Sequence, residues 1–161
     1  RGRVRRDVDG DQRLAGTLVH RMMQRQLDPA MEESSLVGEA TALVAGIERV
    51  DLVDVGPTVL SAVGLFRSVW RDSQLAALLT AGERHFEVPF SFFPPEQPGI
   101  CIRGAVDCLV RASDGGLTVV EFKTGQPRPE HQQQVDLYIR AMRAAFPGMV
   151  VRGHVHYPGA S

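Results

Sequence analysis

The segment between Ile100 and Phe122 places the strongest constraint on how this chain can fold. Two stretches rich in apolar and β-branched residues, Ile100–Arg111 and Leu117–Phe122, flank the polar sequence Ser113-Asp114-Gly115-Gly116. Stretches of this length bounded by turn residues are typical of strands joined in a β-hairpin. The segment therefore predicts a pair of antiparallel strands around which the other elements must be arranged.

The chain on either side of the hairpin supplies the remaining elements. Apolar residues at helical spacing predict helices over 12–26, 35–49, 57–70 and 73–80, the last stopped by Gly82. Arg84–Phe93 alternates and predicts a strand, Pro129–Phe146 predicts a helix, and Met149–Tyr157 predicts a last strand. The order, helices followed by β-β-β-α-β, predicts a mixed α/β fold with a small mixed sheet, flanking helices and an N-terminal helical part.

The length of 161 residues fits one domain with a single hydrophobic core. We expect residues 1–11 to be a linker from a preceding domain and residues 12–161 to form that single domain. Within it, residues 12–82 would be the helical part and 83–161 the mixed-sheet core. The chain begins with Arg1 and ends at Ser161, and we expect both ends to be cuts, so that this is a fragment of a longer protein.

The composition excludes several classes of protein. The formal net charge is −1 and the hydrophobic content is 43%, which is ordinary for a soluble globular protein. The longest apolar runs are too short to cross a bilayer, and no apolar segment of a signal peptide follows the first residues. Two cysteines, Cys101 and Cys108, cannot supply the four thiolates of an iron–sulfur cluster. These features predict a cytoplasmic protein with no membrane partner and no iron–sulfur cluster.

The first 25 residues are basic, with seven arginines and three aspartates. Such a segment could contact nucleic acid, and a solvated linker explains Arg1–Arg6 equally well. No P-loop sequence occurs, so we expect no ATP site in this fragment.

Asp107, Glu121 and Lys123 are the residues most suggestive of chemistry. Lys123 is the only lysine in the chain, since the other 17 basic residues are arginine. A lysine is a compact ammonium with an adjustable pKa, whereas an arginine is a planar and permanently charged group. A single lysine in such a sequence indicates a position that needs a point charge or a proton donor.

The spacing of these residues sets a geometric condition. Glu121 and Lys123 are two apart on a strand, so both side chains point to one face. Two carboxylates from adjacent strands can bind a hard divalent cation, with the ammonium beside it. A two-residue loop would set Asp107 opposite Phe122, so the carboxylates can share a face only with an odd loop or a bulge. The alternative is an exposed Glu–Lys pair at the mouth of an ordinary hairpin.

Five motifs in order resemble the PD-(D/E)XK nuclease superfamily, and within it the RecB-like nuclease domains at the end of AddA and RecB helicase–nucleases. Gly16–His20 resembles the family's helix with a metal-binding histidine, and Glu87–Phe90 resembles its first core strand. Gly104–Asp107 and Glu121–Lys123 resemble the metal-binding and catalytic motifs. Gln134–Tyr138 resembles the QxxxY motif. The resemblance implies a restriction-endonuclease-like core and a metal-dependent deoxyribonuclease.

The resemblance also implies roles for individual residues. His20, Asp107 and Glu121 would ligate Mg²⁺ or Mn²⁺, and Asp107, Glu121 and Lys123 would be catalytic. Glu121 stands where many relatives have aspartate, a substitution that the family accepts. From the residues alone, His20 lies in mid-helix among apolar residues, where a packed histidine without a metal is the usual case.

Gln134 and Tyr138 would, by the same resemblance, line the site next to DNA. Their i and i+4 spacing places them on one helix face, where a solvated polar pair is the ordinary alternative. Other histidines that could bind metal are interpreted as structural, because no spacing ties them to the carboxylates: His131, His154 and His156.

The four-cysteine cluster of some relatives, including AddB, is absent, which favours the AddA-like side. The resemblance thus implies a helicase motor in the same full-length chain, an AddB-like partner subunit, and DNA cleavage in double-strand break repair and recombination. Two alternatives remain open. One is a catalytically inactive DNA-binding or scaffold module, and the other is a stand-alone RecB-family nuclease.

Overall fold

The computed structural model describes residues 8–50 and 54–159. The chain forms two compact units, Arg1–Trp70 and Arg71–Ser161. Residues 1–7 of the predicted linker, and with them Arg1–Arg6 of the basic segment, lie outside the described residues. None of the described helices is both long enough and apolar enough to span a bilayer.

The first unit is helical. Its helices are α1 (Val8–Gln24), α2 (Glu33–Ala42), α3 (Gly46–Val50) and α4 (Gly56–Arg71), the last of which ends one residue beyond the unit. Apolar residues four apart on a helix share one face, and this face of α1 is buried. It carries Leu14, Leu18, Met22 and Met23.

The prediction of one continuous helix over 35–49 is wrong, because the chain breaks between α2 and α3. Arg21 on α1 donates to the carbonyl of Leu43 at 2.9 Å and pairs with both carboxylate oxygens of Glu48 at 2.7 and 3.0 Å. Glu48 also accepts from the backbone N–H of Ala45 at 2.7 Å, which caps the start of α3. The hydrogen bond from Arg21 lowers the pKa of Glu48. A tertiary ion pair therefore decides where α2 ends.

The second unit has the predicted order of elements. Helix α5 (Ser73–Thr80) has the predicted bounds, and its N-cap Asp72 accepts hydrogen bonds from Gln74 and Leu75. The elements after α5 are β1 (Gly82–Phe92), β2 (Ile102–Ala112), β3 (Leu117–Phe122), α6 (Pro129–Ala145) and β4 (Val151–His156). The strands form a mixed sheet of order β1-β2-β3-β4, with β1–β2 and β2–β3 antiparallel and β3–β4 parallel.

Gly82 was expected to end α5, but it is the first residue of β1. The backbone N–H of Ala81 bonds to Leu78, and the helix ends at Thr80 before Gly82 is reached. A Cβ atom on Gly82 would collide with the backbone carbonyl of Arg111 on β2. The glycine therefore permits the first pairing of β1 with β2.

The hairpin loop between β2 and β3 has three residues, Ser113–Gly115. Ala112 donates to the carbonyl of Gly116 at 2.9 Å, and Gly115 donates back to Ala112 at 3.0 Å with a φ of +84°. A three-residue loop with glycine in the left-handed region is a common hairpin connection. Because the loop has an odd number of residues, Asp107 and Glu121 can be level with each other, which was the condition derived from the sequence.

Helix α6 connects the parallel strands β3 and β4 and lies against one face of the sheet. The approach is close at Gly153 on β4, where a Cβ atom would collide with the side chain of Val135 and lie 2.7 Å from Ile139 Cδ1. Val135 is fully buried in a core cluster with Leu109 and Val119. The absence of a side chain at Gly153 thus sets how near α6 comes to the sheet.

We predict that Gly153→Ala destabilises the protein by about 1–3 kcal/mol, since an added methyl in a filled space forces neighbouring groups to move. Gly38→Ala is the matched control, because a Cβ atom there meets nothing within 4 Å. It should stabilise α2 by about 0.5–1 kcal/mol through helix propensity. Urea unfolding followed by circular dichroism measures both changes, and equal effects of the two substitutions would contradict the close approach of α6.

Candidate active site

Asp107 on β2 and Glu121 on β3 meet where the two strands stop pairing. The regular pairing ends at Cys108 and Val120, and one further step of the register places Asp107 level with Glu121. There each carboxylate accepts a backbone hydrogen bond from the opposite strand. The N–H of Asp107 donates to Glu121 Oε1 at 3.1 Å, and the N–H of Phe122 donates to Asp107 Oδ2 at 2.9 Å.

Glu121 is fully buried. Its Oε1 accepts from the backbone N–H of Asp107, and its Oε2 is inaccessible to solvent and lies beside the ammonium of Lys123. Burial, followed by the negative charge of Asp107, raises the pKa of Glu121 to about 7. A buried carboxylate beside a second carboxylate is costly unless a cation offsets the charge. The pair therefore has the character of a cation site.

Lys123 supplies one positive charge at this site. Its Nζ lies 3.3 Å from Glu121 Oε2 as an ion pair, and its side chain is 22% exposed. The backbone N–H of Lys123 donates to the carbonyl of His156 at 2.8 Å, so β3 and β4 remain paired up to this residue. The ammonium therefore lies at the end of β3 beside the Glu121 carboxylate.

Strand β2 changes its alternation of faces near Asp107. A Cβ atom on Gly104 would lie 3.8 Å from the ring of Tyr138 on α6, so Gly104 faces α6. Leu109, paired with Val119, belongs to the core cluster on the same face. Residues five apart on a regular strand point to opposite faces, so the alternation shifts once between them. This change in alternation lies at the position where the carboxylates of Asp107 and Glu121 accept the backbone N–H groups in place of carbonyls.

Glu87 is a residue that sequence reasoning did not include among the site residues. It is level with Asp107 in the β1–β2 register, and one of its carboxylate oxygens lies within 4.8 Å of a carboxylate oxygen of Asp107. Its φ of +51° is in the left-handed region, which is rare for a non-glycine residue and occurs often at functional sites. Glu87 occupies one of the alternate exposed positions of β1, and its place at the start of the Glu87–Phe90 motif was the one signal in the sequence that could have found it.

Gln134 and Tyr138 lie on α6 above the carboxylates. Gln134 Nε2 donates to the hydroxyl of Tyr138 at 2.5 Å, and Tyr138 is 8% exposed. The ring of Tyr138 packs edge-on against Phe90 with centroids 5.1 Å apart, over the space left by Gly104. Burial raises the pKa of Tyr138, and the charge of Glu121 adds to the effect. The hydroxyl therefore stays protonated at neutral pH.

The structure thus brings five predicted site residues together in the second unit. His20, the sixth, lies on α1 in the first unit and is partly buried. The cluster within the second unit consists of Asp107, Glu121, Lys123, Gln134 and Tyr138.

Two of the remaining histidines lie on the opposite side of β4. Gly153 faces α6, so the alternate residues His154 and His156 face away from it. Their rings stack at 6.1 Å, and His156 Nδ1 is 3.9 Å from Asp72 Oδ2. Burial lowers the pKa of His156. These two side chains lie on the face opposite α6 and the carboxylates.

Comparisons with known proteins bear on this site. No curated protein matches the chain. The crystal structure of protein VC1899 from Vibrio cholerae is similar at 14% sequence identity, with a TM-score of 0.33, over 90% of this chain and 47% of that chain. The present chain therefore spans about half the length of that protein, and a similarity this low bears on neither fold nor function.

A sequence model of the PD-(D/E)XK nuclease superfamily matches residues 1–158. The superfamily name describes an acidic residue followed by a (D/E)XK motif, and Asp107 with Glu121-Phe122-Lys123 provides this pattern. The mixed sheet flanked by helices is consistent with the restriction-endonuclease-like fold expected for such a chain. Because the match extends over nearly the whole chain, the protein belongs to the PD-(D/E)XK nuclease superfamily.

Proposed function

We propose that this chain is a divalent-metal-dependent deoxyribonuclease that hydrolyses phosphodiester bonds at Asp107, Glu121 and Lys123. The observation that carries the proposal is the pair of carboxylates held level by reciprocal backbone hydrogen bonds, with Lys123 Nζ 3.3 Å from Glu121 Oε2. Two acidic groups and one ammonium at a strand end fit phosphodiester hydrolysis better than a role in folding.

The residues present fit a hard divalent cation such as Mg²⁺ or Mn²⁺. Glu121 and Asp107 offer carboxylate oxygens at one strand end, the Glu121 Oε2 being buried beside the Lys123 ammonium, and oxygen atoms are the ligands such ions prefer. Asp107 and Glu121 would hold the ion, with Glu87 and His20 as further ligands. The ion supplies Lewis-acid activation of water and of the scissile phosphate.

The side chains around the carboxylates have distinct tasks. The ammonium of Lys123 stabilises negative charge that develops on the phosphate oxygens. Gln134 donates to the oxygen of Tyr138, which leaves the hydroxyl proton of Tyr138 free to bond to DNA. The burial of Tyr138 against Phe90 fixes the direction of this donor.

We further propose that the chain is the nuclease domain of an AddA/RecB-type helicase–nuclease acting in break repair and recombination. The five motifs in family order support this placement, as does the lack of the four cysteines found in AddB. A helicase motor would then belong to the same full-length protein, with an AddB-like subunit as partner. A catalytically inactive DNA-binding module is the alternative, and it would bind DNA without cutting it.

Metal dependence is the first test. Cleavage of DNA should be lost in excess chelator and in Asp107→Asn, which removes the charge at nearly constant volume. Glu121→Gln should raise the melting temperature of the metal-free protein, because it removes a buried charge. It should also abolish the stabilisation that Mn²⁺ gives the wild type. Glu83→Gln, an exposed carboxylate on β1, is the control. Undiminished cleavage in chelator would contradict the proposal.

Lys123 is the second test. Lys123→Ala should reduce kcat by roughly 10²–10³-fold, as removal of a transition-state donor does in other enzymes. DNA affinity and the stabilisation by Mn²⁺ should be nearly unchanged. Lys123→Arg should restore only part of the activity, because a guanidinium is planar and larger. Single-turnover cleavage and fluorescence anisotropy separate the two effects, and a normal rate in Lys123→Ala overturns this role.

The metal role of His20 is the third test. Mn²⁺ accepts nitrogen ligands more readily than Mg²⁺, so His20→Ala should weaken cleavage with Mn²⁺ more than cleavage with Mg²⁺. The melting curve should stay close to that of the wild type. His85→Ala, which removes an exposed histidine on β1, serves as the control. Equal losses with both metals would identify His20 as a packing residue.

A further inference from the structure

His131 extends the row of polar side chains on α6 towards the start of the helix. It stands three residues before Gln134 and seven before Tyr138. Residues at this spacing lie on one face of a helix. The number of residues between His131 and the carboxylates in the sequence did not indicate that His131 belongs to the site. Its position on the same face of α6 as Gln134 and Tyr138 does indicate this.

Tyr157 lies beside Lys123. The parallel pairing of β3 with β4 runs from Leu117–Val151 to Phe122–His156, and one further step places Lys123 level with Tyr157. The bond from Lys123 N–H to the carbonyl of His156 shows that the pairing continues to this point. Neighbouring strands are about 4.8 Å apart, so Tyr157 is one strand spacing from the catalytic lysine.

His131 and Tyr157 contact each other. His131 Nδ1 lies 3.0 Å from the hydroxyl of Tyr157, and their rings are 5.6 Å apart with a tilt of 37°. When the hydroxyl donates to Nδ1, the ring proton is on Nε2. That nitrogen makes no hydrogen bond with any residue that the structure describes. In that tautomer the pair presents an oriented N–H donor at the strand end that carries Lys123.

We propose that His131, oriented by Tyr157, binds the backbone phosphate next to the one that is cleaved, which rests on the proposed nuclease function. Phosphate oxygens accept hydrogen bonds from imidazole N–H groups, and such contacts position nucleic acid without reading its sequence. The row of Tyr138, Gln134 and His131 then follows the strand of DNA from the carboxylates past Lys123 to Tyr157. The two residues position the substrate and take no part in bond cleavage.

Two variants of the whole chain test this contact. His131→Ala should raise KM for a DNA oligonucleotide about 10-fold, the loss of one hydrogen bond to a charged group. Tyr157→Phe keeps the ring and removes only the hydroxyl, so it should raise KM by about 3-fold. In both variants kcat should stay within about 2-fold of the wild type, since neither group touches the reacting atoms. His85→Ala is the matched control and should change neither value.

Binding of the same oligonucleotide in chelator, followed by fluorescence anisotropy, gives a measurement that does not depend on cleavage. The Kd should rise in the same ratios as KM, and urea unfolding should show that both variants fold. An unchanged Kd in His131→Ala overturns the contact, even if the wild type cuts DNA normally. A wild type that binds but does not cut DNA overturns the proposed nuclease function, while the Kd ratios still decide the contact.

Discussion

The reciprocal hydrogen bonds between Asp107 and the end of β3 are the interaction on which the site depends. At this point of an antiparallel pair, backbone N–H groups would ordinarily bond to carbonyls of the facing strand. Here the N–H of Asp107 bonds to Glu121 and the N–H of Phe122 bonds to Asp107. Each carboxylate is thereby fixed by a backbone N–H of the strand that carries the other.

This arrangement has a cost that the fold compensates only in part. Glu121 is fully buried, its pKa is raised to about 7, and the Lys123 ammonium lies beside it. Buried charge that is not fully compensated lowers the stability of a protein, and such groups concentrate at functional sites. The strained backbone of Glu87 beside Asp107 belongs to the same pattern. The free energy of folding is thus reduced locally where a cation is expected to bind.

Much of the second unit could be predicted from the sequence. The order β-β-β-α-β, the bounds of α5 and β3, and the hairpin around Ser113–Gly115 follow from local apolar patterns and turn residues. The continuous helix over 35–49 was wrong, because Arg21, 22 residues before Leu43, binds the carbonyl there and pairs with Glu48. A pairing between distant residues leaves no local signal in the segment that it interrupts.

The sequence by itself determined which chemistry this protein can perform, because Asp107, Glu121 and the only lysine are chemical groups before the chain folds. It also determined the strands that carry them, since an apolar and β-branched run bounded by turn residues is a local property. The tertiary structure alone decided that the loop has three residues, that Glu87 lies beside Asp107, and that Tyr157 is level with Lys123. Register, backbone strain and contact between helix and strand arise only when distant segments pack, and no periodicity encodes them.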